Sequence, residues 1–241
     1  MTEAKASYDD DDLPSPLSVY GKTKYYGELI ARTVPKHYVL RPVWMMGGGP
    51  KKDKKFINLI FKQIMNGARA INAVSDRVGT PTYTHDLAKN IEVLLLSGKY
   101  GVYNCSCRGT TTRYEVACEF VRLMGLSHAV RVNAVSSEFF HEKYFAPRPA
   151  SERVLANRLT ANGLNVMRHW KACLEEYSHE FKKESIYIEQ AFGVGEAEEF
   201  AVPDARLRWN SGPRACGRFG SDPGASTRVR DSSQVIDELK F

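Results

Sequence analysis

The stretch that decides the fold is SPLSVYGKTKYYGE, residues 15–28. Pro16 favours an extended entry, and a helix is predicted from Leu17 to Thr33, ended by Pro35. Within it Tyr20 and Lys24 stand four residues apart, on one face and one turn from each other. A cation held beside a phenol favours the phenolate, and a phenol tuned in that way can give a proton to a carbonyl oxygen. An ammonium so placed can also bind the hydroxyls of a ribose. Alone, the spacing is more often that of an exposed helix face.

Outward from this helix, HYVLRPVWMM (37–46) is apolar and β-rich and reads as one buried strand, broken by Gly47, Gly48, Gly49 and Pro50. Phe56, Leu59, Ile60 and Ile64 recur at helical spacing between Lys54 and Asn66. Residues 70–74 read as a strand and 85–96 as a helix, with Thr84 as N-cap and Asp86 in the first turn. Residues 101–105 form the next strand. Thr112 and Glu115 then form a Thr-x-x-Glu capping box that opens a helix to about Met124. Another strand is predicted over 130–135, a short helix over 151–159 and a last helix over 167–181. The alternation gives an α/β protein. In the other direction, residues 1–16 read as a polar acidic lead whose run Asp9–Asp12 stays solvated. Residues 17–184 form the folded body. Residues 185–241, rich in Gly, Ser, Arg and Pro and without sustained periodicity, read as a disordered tail.

The whole chain of 241 residues carries a net charge of +6, unevenly spread. From Ser185 onward there are 7 Lys+Arg and 9 Asp+Glu, a net of −2, which leaves +8 on the remainder. A positive body suits an anionic ligand such as a nucleotide diphosphate. No basic stripe interleaved with aromatics is present, so nucleic acid is not an expected partner. Nor is a membrane, because no apolar run reaches the roughly 18 residues that a spanning helix needs. The five cysteines, an odd and scattered set, suit reduced thiols in the cytoplasm, and no second ligand pair accompanies Cys105 and Cys107 to make a metal site.

The run Pro16, Tyr20, Gly21, Thr23, Lys24 and Glu28 closely resembles the active-site helix of extended short-chain dehydrogenase/reductases. Further on, the likeness narrows to the dTDP-4-dehydrorhamnose reductase family. LRPVWMMG is similar to its strand-end segment at Arg41, Trp44 and Gly47, and departs from it at Pro42, Val43 and Met46. VSDRVGTPTYTHDLA matches the family run at Asp76, Gly79, Pro81, Thr82, Asp86, Leu87 and Ala88. APRPASERVLANRL resembles an Arg-Pro-x-x-Ser region, with Ser151 one residue early. The likeness spans roughly Leu13 to Phe181 in family order.

The resemblance implies the later part of a Rossmann-like, NAD(P)-binding fold with a smaller substrate domain. It implies reduction, with NADPH or NADH, of the 4-keto group of a dTDP-linked deoxysugar. Tyr20 and Lys24 take the catalytic positions, Lys24 and Arg41 the cofactor contacts, and Trp44, Thr82 and Arg148 the substrate contacts. Trp44 is equally readable as core packing, Thr82 as a helix entry and Arg148 as a solvated charge. Lys51, Lys52, Lys54 and Lys55 read as a solvated loop. The Gly47–Gly49 run is not a dinucleotide fingerprint, being followed by a proline and lysines rather than a helix start. Only 19 residues precede Tyr20, fewer than the roughly 30 of one strand–helix–strand unit. The expectation is therefore a chain without the glycine-rich front half and impaired in reduction on its own, completed by a separate piece or a homo-oligomer. Two other functions fit the same fold: a nucleotide-sugar epimerase or dehydratase, and a non-catalytic subunit resembling the beta subunit of methionine adenosyltransferase.

Overall fold

Ser18 opens the first helix, α1 (Val19–Ala31), by accepting the Gly21 N–H at 3.1 Å. A Cβ at Gly21 would lie 3.0 Å from Pro16 Cβ, so glycine here lets the entering proline close against the first turn. This explains physically why Pro16 and Gly21 occur together. The structure, a computed structural model, describes residues 5–140 and 148–183. All of these lie in one compact unit, Met1–Val202. The predicted disordered tail lies outside the described residues.

After α1 come β1 (Tyr38–Arg41) and β2 (Met45–Met46), then α2 (Gly49–Lys52) and α3 (Phe56–Met65). Three strands follow, β3 (Ala70–Val74), β4 (Val78–Gly79) and β5 (Thr82–Tyr83), leading into α4 (Thr84–Ser97). Next are β6 (Gly101–Asn104), β7 (Thr111–Thr112), α5 (Arg113–Leu123) and β8 (Arg131–Val135). A 3-10 turn, Ser137–Phe140, then β9 (Ser151–Glu152), α6 (Asn157–Ala161) and α7 (Trp170–Lys182) complete the order. β1 pairs with β6, β2 with β5 and β3 with β8, all parallel. In a small three-stranded sheet, β4 runs antiparallel to β7 and parallel to β9. Parallel pairs joined by helical crossovers make this an α/β protein of Rossmann-like construction.

The main core lies between α3, α5, α7 and the β3–β8 pair. α7 contributes Trp170, Cys173, Leu174, Tyr177, Ser178 and Phe181, spaced to form one buried stripe. Phe181 is the hub, with Phe61, Phe120 and Tyr177 at ring-centroid distances of 5.0, 5.3 and 5.0 Å, all edge-on. A smaller cluster, with Leu87, Leu94, Tyr103, Cys105 and Leu159 at its centre, packs beside Tyr38 and Leu40 of β1.

Five expectations need correction. The strand over 37–46 is two pieces, because Pro42 has no N–H for a ladder and Trp44 takes a left-handed φ of 40°. Gly48 does lead into a helical turn, α2, with Pro50 near its start. Tyr83 rather than Thr84 holds the N-cap position of α4, without a side-chain capping bond. Residues 151–159 are a two-residue strand followed by α6, not one helix. Last, the aspartate run is not simply solvated. Asp10 is 4% exposed, and its carboxylate accepts the N–H groups of Asn104 at 2.6 Å and Arg158 at 2.9 Å. Tyr8 also bridges in parallel to Val154, so the lead seals the end of β6 against α6. The capping box stands as read: Thr112 Oγ1 accepts the Glu115 N–H at 3.1 Å, and Glu115 Oε2 accepts the Thr112 N–H at 2.8 Å.

Candidate functional site

Tyr20 lies on the open side of α1 and is 71% exposed. The Lys24 ammonium sits over its ring, 5.4 Å from the centroid, as the four-residue spacing requires. Four residues on, Glu28 turns inward and fixes the helix. Its carboxylate takes a two-pronged grip from Arg41, at 2.6 Å from Nη2 and 3.0 Å from Nε. Arg41 Nη1 also donates to the Asp10 carbonyl at 3.2 Å. The guanidinium named as a cofactor contact is thus engaged within the protein, where it ties α1 to the end of β1.

The candidate substrate residues gather beyond that strand end. Thr82 is fully buried, and its hydroxyl is used twice: it accepts the Val43 N–H at 3.1 Å and donates to the Cys105 carbonyl at 3.1 Å. The Thr82 N–H donates to the Trp44 carbonyl at 3.2 Å. Thr82 therefore shapes the turn that carries Trp44. The Trp44 Nε1–H donates to Glu152 Oε2 at 2.5 Å, and the Arg148 guanidinium lies 3.9 Å from Glu152 Oε1. The structure thus forms two groups, Tyr20 with Lys24 on α1, and Trp44 with Thr82 and Arg148 around the β1 end. Glu152, which joins Trp44 to Arg148, escaped sequence reading. It stands at the fourth residue after Arg148, where the family pattern places serine.

A second polar network lies at α7. Burial alone would push the Asp86 carboxyl up, but hydrogen bonds from the Arg168 side chain and backbone and from Cys173 outweigh it and hold the carboxyl below its usual range. Arg168 Nη2 reaches Asp86 at 2.7 Å and its Nη1 reaches Glu176 at 2.8 Å. Burial and the facing Glu176 raise the Tyr83 phenol, whose hydroxyl donates to Glu176 at 3.2 Å. A cavity of about 610 Å³ opens here, lined by Tyr83, His85, Arg168, Glu176, His179 and Glu180 among others. None of the residues singled out in the sequence lines it. Burial lifts the Cys105 thiol to about 12. Among the described residues no group of three or more His, Cys, Asp or Glu side chains is placed to hold a metal, and no helix is long and apolar enough to cross a membrane.

These features define a Rossmann-like α/β protein with an exposed Tyr–Lys pair on one helix and Trp44 beyond a strand end. The chain belongs to the RmlD substrate-binding domain family, whose model matches residues 2–183. It is 34% identical over 174 residues to the spore coat polysaccharide biosynthesis protein SpsK of Bacillus subtilis (strain 168), covering 72% of this chain and 58% of SpsK. The structure is similar to that of dTDP-4-dehydrorhamnose reductase from Yersinia enterocolitica, with TM-score 0.68, 33% identity and coverage of 74% of this chain and 62% of that one. The Bacillus anthracis reductase, solved in complex with NADP, gives TM-score 0.66 and 29% identity over 73% of this chain and 60% of that one. A more distant relative is the beta subunit of methionine adenosyltransferase 2 from Danio rerio, 28% identical over 66% of this chain and 50% of that protein. The chain thus spans roughly half to three fifths of the length of these relatives.

Proposed function

We propose that this chain supplies the proton-donor helix and sugar-facing part of a dTDP-4-keto-sugar reductase that works in the cytoplasm. The observation that carries this reading is the Tyr20–Lys24 pair, exposed together on α1 and tied through Glu28 and Arg41 to the strand end that bears Trp44. NADPH or NADH, when bound, supplies a hydride to the sugar C4. Tyr20 gives its hydroxyl proton to the C4 oxygen, so the carbonyl becomes an alcohol. Lys24, whose ammonium lies 5.4 Å from the Tyr20 ring centroid, offers its charge to the ribose hydroxyls. The described residues fit that ribose end of the cofactor. They contain no glycine-rich turn opening a long helix to cradle its pyrophosphate. Arg41 serves the site by holding α1 rather than by meeting the cofactor, and Thr82 by fixing the Trp44 turn.

The test is NADPH oxidation with dTDP-4-dehydrorhamnose, run on the chain alone and with the Rossmann half of a relative supplied in trans. Turnover in either arm that falls at least about 100-fold in Tyr20→Phe is the expected result. Equal turnover in the variant rejects the role of Tyr20. The likeness to the zebrafish beta subunit favours one other reading, a non-catalytic subunit. Stoichiometric recovery of a methionine adenosyltransferase catalytic subunit, with no turnover in either arm, would select it.

A further inference from the structure

We infer that Glu152 is a positioning residue that makes Trp44 and Arg148 a single ligand-facing unit. The inference deepens the proposed function and rests on it for the ligand class, a nucleotide-linked sugar. Trp44 is the one non-glycine residue with a positive φ among the described residues. A bulky side chain in that region stores backbone strain, which persists where the surroundings over-determine it, commonly at ligand sites. Four contacts from separate elements do so here. The Gly79 backbone lies close against the indole, since a Cβ there would come 2.5 Å from the ring. Gly79 and Glu152 are register partners across β4 and β9, so a ring resting on Gly79 brings its N–H to the Glu152 carboxylate. The Arg113 guanidinium, at the start of α5, covers the ring at 4.6 Å from its centroid and also lies 4.9 Å from the Phe56 ring. Thr82 fixes the turn through the Trp44 carbonyl.

The result is an indole with its position set on every side but still only half buried. Core packing alone does not call for a strained backbone, a bare glycine floor and a carboxylate clamp around a ring that stays open. The second carboxylate oxygen faces Arg148, whose side chain is 64% exposed. One carboxylate therefore sets both an apolar plate and a cation at the same opening. That combination suits a sugar whose apolar edge meets the open rim of the indole, with a phosphate beside the guanidinium.

The test combines a structural and a binding readout on the full chain. The indole N–H of Trp44 gives its own NMR signal, identified by its loss in Trp44→Phe, and dTDP-glucose is the calorimetric probe. In Glu152→Ala the Trp44 indole proton should shift and exchange faster with water, and dTDP-glucose should bind about tenfold more weakly, the worth of one charge-assisted hydrogen bond. Glu152→Gln keeps an acceptor for the indole but loses the charge opposite Arg148. It should restore the indole signal and only part of the affinity. An unchanged indole signal in Glu152→Ala overturns the positioning role. A changed signal with wild-type affinity shows Glu152 to be structural only and overturns the ligand-facing role. If the wild type itself binds no dTDP-glucose, the nucleotide-sugar reading fails, and the positioning of Trp44 is then judged on the indole signal alone.

Discussion

α1 and α7 are both 13 residues long, and they are held in opposite ways. α7 buries six side chains in one stripe, whereas α1 buries only Glu28. On α1, Val19 is 78% exposed, Tyr26 61% and Ile30 70%. One helix is fixed by apolar burial and the other by an ion pair reaching to β1. Apolar burial is strong and non-directional, while a carboxylate–guanidinium fork is weaker overall but sets an angle. The molecule uses the first to anchor α7 and the second to hold the helix that carries Tyr20 and Lys24.

Phe181→Ala should break this comparison most severely. The ring is fully buried and touches Phe61, Phe120 and Tyr177, so no neighbour can fill its space without moving. A loss of about 3–5 kcal/mol is expected. Urea unfolding followed by circular dichroism measures it, and a loss no larger than that of a surface substitution would mean that α7 is not the anchor argued here.

Asp86 gives the next largest effect and a pH dependence. Its folded carboxyl lies below its unfolded value, so the unfolded chain binds the proton more readily. The stabilisation is complete above the ordinary carboxylate value of about 3.9 and is lost as pH falls through the lower, folded value. Asp86→Asn should cost about 2–3 kcal/mol at neutral pH, less than a fully buried pair because the Arg168 side chain is 38% exposed. It should also flatten the acid limb of the stability curve. Melting temperatures from pH 7 down to pH 3 test both parts, and an Asn variant with the wild-type acid limb would assign that limb to other carboxylates.

Local pairings are legible in the sequence, and long-range ones are not. The Tyr20–Lys24 spacing and the Thr112–Glu115 box each lie within one or two turns of one helix, where period and chemistry suffice. Asp10 looked like one of four solvated aspartates because its partners, Asn104 and Arg158, lie 94 and 148 residues away. Glu152 is illegible for the same reason, being 108 residues from Trp44. Arg41 was noticed for its place in a motif, but its partner Glu28 could be assigned only once β1 was seen beneath α1. The break at Pro42 was legible in principle from its missing N–H, and the apolar run around it masked the signal.

Glu28→Ala sharpens the comparison with the smallest global effect. It removes the one buried side chain of α1 and leaves the Arg41 fork facing Asp10 alone. The pair is near the surface, with Arg41 21% exposed, so a global loss of about 1–2 kcal/mol is expected, below that of either core change. The local effect should be larger than that figure suggests. α1 has little else to hold it, so its amides should lose protection in hydrogen exchange while those of α7 keep theirs. The reductase reading adds a consequence: Tyr20 and Lys24 would stay intact but badly aimed, and turnover at a temperature well below the melting point should fall. Uniform loss of protection along both helices would show instead that α1 and α7 unfold as one unit, and that the division between an aiming helix and an anchoring helix is not real.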